Sequence, residues 1–327
     1  MTVAARDTVP FGVAVLNWNQ PDLTIECLDS LLKSRPMPTH AVVVDNGSKD
    51  DSLQKILAWS GRTGVQYQIV SLDNDDAVRP KASSAWLTIV ASSTNRGFAG
   101  GNNVALRYLE KRTPVTHFLL LNNDATVATD FFSELERALH ANPTAGLLTG
   151  TILEDEPGDK VWYAGAKENR LRALISHTFE IPSSDEAIST PFISGCAMLI
   201  SRPVLDSIGL LAECYDPIYW EDAEYSARAR AAKFPVLYAP RAIVRHKVGA
   251  SVGRLFVSAP TTFWQNRYRA FYVRRNYAGW VKGAAIAYLV ATKPARALVE
   301  TLRGRPRIGW AILRGVATGI FSPAARR

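Results

Sequence analysis

The stretch that most limits how this chain can fold is Thr116-His117-Phe118-Leu119-Leu120-Leu121-Asn122-Asn123-Asp124. A continuous apolar run this short predicts a strand buried on both faces, as inside a parallel sheet, and it halts at three polar residues. In an open α/β sheet, ligands collect beyond the carboxyl ends of such strands, so Asn122, Asn123 and Asp124 should face a crevice. A carboxylate fixed there is a candidate ligand for a hard divalent cation, which can in turn neutralise a diphosphate. The same Asp also suits the plainer task of capping a strand-end turn.

The flanking chain repeats the pattern. Residues 11–16 read as a buried strand ending at Asn17-Trp18-Asn19, and Pro21-Asp22 opens a helix with Ile25, Leu28, Leu31 and Leu32 at helical spacing. Residues 40–44 form the next strand, ending in Asp45-Asn46-Gly47-Ser48, with a helix near 52–59. Two consecutive βα units predict a parallel sheet. Residues 65–72 and 85–91 read as strands around a polar surface insertion. Asn95-Arg96-Gly97-Phe98-Ala99-Gly100-Gly101-Asn102-Asn103 then opens a helix running to about Lys111, and such a glycine-rich start can bring backbone close to an anion. Its spacing is neither a dinucleotide fingerprint nor a P-loop, and an ordinary helix-start turn also fits. Further on, 130–141 reads as a helix, and 146–150, 162–165, 192–200, 236–238 and 242–244 as strands.

Two more constellations carry chemistry. Tyr219-Trp220-Glu221-Asp222 begins a helix extending to Arg230, where acidic residues complement the helix dipole. Alternatively, the two aromatic rings frame a sugar and Asp222 serves as a general base. His246 follows the last strand, which can deliver its imidazole beside Asp124 as a second metal ligand, although a lone His is usually structural.

Charge separates the tail from the rest. Residues 251–327 hold 14 Lys/Arg against one acidic residue, Glu300, a net of +13, while the preceding 250 residues hold 24 Lys/Arg against 29 Asp/Glu, a net of −5. Aromatic and Arg residues alternate through 263–281 along an expected helix, and amphipathic segments continue past Pro294 and Pro306. No apolar run reaches the ~20 residues of a spanning helix. A Trp- and Arg-rich amphipathic helix suits the headgroup plane of an anionic bilayer better than a nucleic acid, and packing against the preceding domain is the other reading. No secretory signal is evident, and the odd set of three cysteines, Cys27, Cys196 and Cys214, fits a reducing compartment.

Taken in order, Val15-Leu16-Asn17-Trp18-Asn19, Val44-Asp45-Asn46-Gly47-Ser48, the loop 95–103, Asn122-Asn123-Asp124, Ser194-Gly195, Trp220-Glu221-Asp222 and His246 make the chain resemble the family 2 glycosyltransferases of the GT-A fold, particularly their bacterial rhamnosyltransferase-like branch. The resemblance implies an α/β, Rossmann-like mixed sheet with helices on both faces, plus a C-terminal amphipathic helical extension. Residues 1–250 would be catalytic, with a nucleotide-sugar half to about 125 and an acceptor half after it, and 251–327 would associate with membrane. Asp45 would bind the base, and Asn17, Asn95, Arg96, Gly97, Asn103, Asn122 and Asn123 would line the nucleotide-sugar site. Asp124 would be the last residue of a DxD-type motif whose first position is Asn122, binding Mg²⁺ or Mn²⁺ with His246 and the diphosphate. Asp222 would be the catalytic base, Glu221 would orient the acceptor or tune Asp222, and Gly195 and Trp220 would lie on the acceptor side.

The implied reaction is inverting transfer of a sugar, with L-rhamnose from dTDP-rhamnose favoured over UDP- or GDP-linked hexoses. The acceptor would be lipid-linked or a polysaccharide such as O-antigen, at the cytoplasmic face of the cell membrane and without nucleic acid. A non-catalytic module that binds sugar nucleotides is the alternative from another class.

Overall fold

The computed structural model describes residues 9–72, 85–155, 159–247 and 258–322, so the surface insertion expected within 73–84 and the boundary expected at 250 lie outside the described residues. The first half alternates strand and helix: β1 (Phe11–Asn17), α1 (Pro21–Lys33), β2 (His40–Asn46), α2 (Ser52–Thr63), β3 (Tyr67–Ser71), β4 (Leu87–Ser92), α3 (Gly97–Arg112) and β5 (His117–Asn122). After these come β6 (Ala125–Val127), α4 (Phe131–Ala141), β7 (Leu147–Glu154), β8 (Val161–Tyr163), β9 (Ala166–Asn169), β10 (Leu174–His177), β11 (Ile188–Ser189) and β12 (Ala197–Ser201). Helices α5 (Arg202–Ile208) and α6 (Glu221–Ala231) precede β13 (Val236–His246).

The main sheet runs β11-β13-β7-β12-β5-β1-β2-β4-β3, with β6 paired to β13 and β8 to β7. Strands β3, β4, β2, β1 and β5 are mutually parallel, whereas β12 is antiparallel to both its neighbours. This is the mixed sheet expected from the sequence, and its alternating side chains divide between two cores. Val13, Val15 and Val43 pack with Leu28, Leu31, Ile56 and Leu135 of α1, α2 and α4. Ala14, Val42 and Val44 pack on the other face with Leu106 and Leu109 of α3 and Tyr225 and Ala229 of α6. Burial on both faces explains why β2 is apolar almost to its end.

Three expectations need correction. Residues 192–196 are not strand, and two of their backbone donors go to α6 side chains instead of a ladder: Ile193 N–H donates to Ser226 Oγ at 3.2 Å and Gly195 N–H to Asp222 Oδ2 at 3.0 Å. Residues 236–246 form one strand, whose register with β7 shifts between Ala239 and Ile243 opposite Gly150. A Cβ on Gly150 would lie 1.9 Å from the Ala242 carbonyl oxygen, so the irregularity needs glycine there. The stretch 263–281 is two helices, α7 (Ala259–Asn276) and the start of α8 (Gly279–Leu302), and α8 continues through Pro294 despite the backbone bond lost there.

These helices and α9 (Pro306–Phe321) pack together and onto the sheet domain. A capping box between Ser258 and Thr261 starts α7, whose Tyr268, Phe271, Tyr272 and Val273 are buried in the larger core. Glu168 of β9 accepts hydrogen bonds from Tyr277 Oη (3.1 Å) and Arg230 Nη2 (3.0 Å), tying this region down. Helix α9 approaches α7 through Gly315 and Gly319, where added Cβ atoms would lie 2.6 Å from the Phe263 oxygen and 2.2 Å from the Arg267 oxygen. At the α8–α9 joint, Glu300 is buried and paired with Arg296, Arg303 and Arg305. Among the described residues no helix is long and apolar enough to cross a membrane.

Candidate active site

The parallel pairing of β1 with β2 and β5 brings their carboxyl ends into line, with Asn17 opposite Asp45 and Leu16 opposite Asn122. From these ends a buried polar chain runs across the sheet. Asn17 Nδ2 donates to Asp45 Oδ1 at 2.9 Å and to Ser48 Oγ at 3.2 Å, and Ser48 Oγ itself bonds Asp45. Thr24 of α1 donates to Asn17 Oδ1 at 2.7 Å and accepts from Asn123 Nδ2 at 3.2 Å. Satisfied polar groups of this kind hold their neighbours in one arrangement, so the chain fixes Asp45 relative to Asn123. Sequence reasoning singled out both ends and overlooked Thr24, whose place in a helix gave no sign of a site.

Asp124 follows β5 directly, and the antiparallel pairing of β13 with β6 sets His246 opposite Ala125. His246 Nε2 and Asp124 Oδ1 are consequently 3.1 Å apart with both side chains buried, so the sheet brings together two residues 122 positions apart. Burial opposes an imidazolium at His246, but Cys196 and Asp124 beside it outweigh that, and its pKa rises to about 11. A carboxylate and an imidazole in contact at the mouth of the sheet form a donor pair that suits a divalent ion such as Mn²⁺ once the ion displaces the imidazole proton. Among the described residues no larger His, Cys, Asp or Glu cluster forms a protein-only cage, so other positions would fall to diphosphate oxygens and water. Asn122 is half-buried, and its N–H donates to the Cys196 carbonyl at 2.9 Å, which seats the segment before β12 against this corner.

The glycine-rich loop is anchored to β2. Asn46 Nδ2 donates to Asn95 Oδ1 at 3.1 Å, and Asn46 Oδ1 accepts from the Arg96 N–H at 2.9 Å, leaving Asn95 and Arg96 exposed at the sheet edge. Gly97 has φ +72°, and a Cβ there would lie 2.5 Å from Asp216 Oδ1. The anion expected at this helix start is therefore supplied by the protein: Asp216 accepts from the Ala99 N–H at 3.0 Å. Burial pushes the Asp216 pKa up to about 6 against the pull of those backbone donors. Asn103, expected in the nucleotide-sugar site, is occupied elsewhere. Its side chain is buried and exchanges hydrogen bonds with the Leu211 backbone (3.0 Å each way) while donating to Glu213 (2.8 Å), so it fastens the segment before Asp216.

The second part of the site, where the sequence placed an acceptor, is built around the start of α6. Tyr219 and Trp220 both adopt left-handed backbone, with φ of 84° and 74°, a costly geometry for bulky residues. It brings the chain into the helix so that Asp222 Oδ1 accepts from the Ala223 N–H at 2.8 Å while Oδ2 accepts from Gly195. Gly195 also has to be small, since its Cβ would meet the Phe98 ring at 3.2 Å. Burial raises the Asp222 pKa, and these backbone donors restrain the rise. Glu221 differs: it is buried, is absent from the cavity wall, and is held well above the ordinary carboxyl range by burial and by the Asp222 charge. Its carboxyl therefore favours the neutral form beside the Asp222 charge.

Asp222 opens into a cavity of about 430 Å³, within the roughly 300–1,000 Å³ of small-molecule sites. Trp220, Tyr219 and His177 line it together with Arg269 of α7 and Lys293 of α8. Tyr272 of α7 backs Trp220, with ring centroids 5.1 Å apart. The tail helices thus wall the cavity beside Asp222, a placement that sequence periodicity does not reveal.

The protein belongs to the glycosyltransferases: residues 9–272 match the family described as Glycosyltransferase like family 2. A curated relative is the low-salt glycan biosynthesis hexosyltransferase Agl10 of Haloferax volcanii, 24% identical over 192 residues, 58% of this chain and 61% of that protein. The chain thus spans about three-fifths of that relative's length. Among solved structures, the mannosyltransferase PcManGT of Pyrobaculum calidifontis, in complex with GDP-Man and Mn²⁺, aligns over 98% of this chain and 92% of its own, with TM-score 0.56 and 16% identity. GalNAc-T7 with UDP, GalNAc and Mn²⁺ aligns over 83% of this chain and 51% of its own, with TM-score 0.61 and 14% identity. TarS 1–349 of S. aureus aligns over 96% and 81%, with TM-score 0.56 and 14% identity. The fold is the GT-A fold expected from the sequence.

Proposed function

We propose that the protein is an inverting, divalent-metal-dependent glycosyltransferase that moves a hexose from a nucleoside diphosphate to a hydroxyl of a lipid-linked or polysaccharide acceptor in bacterial surface-glycan assembly. L-Rhamnose from dTDP-rhamnose is the first donor to test, on the strength of the motif resemblance; GDP- and UDP-sugars, named in the structural relatives, are its rivals.

The observation that carries this reading is Asp222. Its carboxylate faces the cavity, is aimed by the Gly195 and Ala223 N–H groups, and has the raised pKa that makes a better base. In the proposed step Asp222 takes the proton of the acceptor hydroxyl as that oxygen attacks the anomeric carbon. The bond from that carbon to the diphosphate breaks on the opposite face, and the configuration inverts. The Asp45–Asn17 end of the polar chain holds the nucleotide, and Trp220 and Tyr219 frame the acceptor sugar. Asp124 and His246 would hold Mg²⁺ or Mn²⁺, which supplies positive charge for the departing diphosphate.

Membrane association of the extension is part of the same proposal, at the cytoplasmic face. Its support is a surface where exposed Trp280 (75%), Leu302 (77%), Trp310 (65%) and Phe321 (81%) share α8 and α9 with Lys282, Arg307 and Arg314. Asp222→Asn tests the enzymatic reading: transfer should fall by about 10²–10⁴-fold while calorimetry still registers dTDP, UDP or GDP binding with Mn²⁺. Normal turnover by this variant would remove Asp222 from the mechanism.

A further inference from the structure

The cavity beside Asp222 has a charge pattern that recognition of a neutral sugar does not call for. Arg269 and Lys293 both line it, and among the described residues the only carboxylate on its wall is Asp222. Arg269 donates from Nε to the Ala173 carbonyl at 2.8 Å and from Nη2 to the Arg172 carbonyl at 2.7 Å, which fixes the guanidinium plane without cancelling its charge. Lys293 is half-buried, and burial together with the like charges of Arg269 and Arg296 pulls its pKa down to about 8. Like charges gathered in a desolvated recess oppose each other until an anion enters.

Asn17, Asp45, Asp124 and His246, the residues proposed to hold the nucleotide and its diphosphate, do not line this cavity, so the two cations sit apart from that set. What the cavity can take, beside the Asp222 carboxylate, is the acceptor.

We propose that Arg269 and Lys293 form an anion subsite for a phosphate group carried by the acceptor, next to the hydroxyl that Asp222 activates. The inference rests on the glycosyltransferase reading and adds the chemical class of the acceptor. A phosphate matches two converging cations in charge, and a guanidinium held in a fixed plane suits its oxygens. The position also offers room for a lipid. Val290, one turn before Lys293 on the same side of α8, is exposed, so a chain leaving a phosphate at Lys293 meets an apolar side chain there.

The test uses the full chain in EDTA, which keeps metal from the donor site, and measures binding of farnesyl diphosphate, a hexose 1-phosphate and farnesol by calorimetry. Both phosphate probes should bind and farnesol should not. Lys293→Gln should weaken phosphate binding by about tenfold or more, and Lys293→Arg should restore it, as expected for loss of a charge-assisted hydrogen bond. Tighter binding of farnesyl diphosphate would assign the phosphate to a lipid-linked acceptor, and tighter binding of the hexose phosphate to a soluble phosphorylated glycan. Unchanged phosphate affinity in Lys293→Gln, or equal binding of farnesol and farnesyl diphosphate, would overturn the subsite. Nucleotide binding with Mn²⁺ uses none of these residues and reports separately: its absence sinks the glycosyltransferase reading, while its presence alongside an indifferent Lys293 sinks only the phosphate subsite.

Discussion

The two sides of the candidate active site are made in different ways. The donor side consists of strand ends in fixed parallel register, and its polar side chains bond one another, from Asp45 through Asn17 and Thr24 to Asn123. The acceptor side has no such register. It is assembled from a left-handed turn, the first turn of a helix, a non-strand segment at Gly195 and two helices from the end of the chain. Rigid strand ends suit a ligand part common to many enzymes, the nucleoside diphosphate. Parts drawn from distant segments can change separately, which suits the acceptor.

Several experiments would break or sharpen this contrast. The largest effect is expected at Asp124: Asp124→Ala should reduce Mn²⁺-supported nucleotide binding by at least about 100-fold, beyond the roughly 10–100-fold that second-shell changes cost, and EDTA should reproduce the loss in the unaltered protein. Calorimetry with and without metal checks both. Next, Gly319→Leu forces a side chain where even Cβ would lie 2.2 Å from the Arg267 oxygen. Urea denaturation should register a loss at the upper end of the roughly 1–3 kcal/mol that overpacking costs, and hydrogen exchange should rise along α9. Donor-nucleotide affinity should hold in that variant; if it fell in step, the two sides would not be independent.

Thr24→Val removes the middle of the donor-side chain. It should cost about 1 kcal/mol for each hydrogen bond lost, with a matching fall in nucleotide affinity, and leave binding of phosphate probes at Lys293 unaltered.

The smallest effect concerns Asp216, whose pKa of about 6 in the folded protein lies above its ordinary 3.8. Between those values the folded state binds more protons than the unfolded one, so this carboxyl makes stability fall as pH rises through that window. Asp216→Asn should flatten that part of a urea-midpoint profile across the same interval. An unchanged slope would mean that another group causes it.

That Asn17, Asp45 and Asp124 gather at neighbouring strand ends was legible because each strand end is a local event, an apolar run stopped by Asn or Asp. The positions of Asn17, Asp45 and Asp124 follow from such runs, and adding β13 brings in His246. The errors arise where tertiary contacts overrule local pattern. Residues 192–196 have the apolar content of a strand, but Ser226 and Asp222 take the Ile193 and Gly195 backbone donors. Asn103, within α3, hydrogen-bonds Leu211 and Glu213, partners from a distant segment that the glycine-rich loop pattern does not point to. Asp216 carries no motif, and Arg269 and Lys293 read as ordinary members of a basic tail. Only the packing of α7 and α8 gives those two a place at the cavity.

The burial of Glu300 has an outcome for the extension as a whole. It is the sole acidic residue among 77, and three arginines enclose it at the α8–α9 joint. Whatever the helices turn outward is therefore cationic or neutral, with no acidic group to temper attraction at short range. Adhesion to a polyanionic surface should then decay steeply as salt is added and the screening length contracts to about 8 Å near physiological ionic strength.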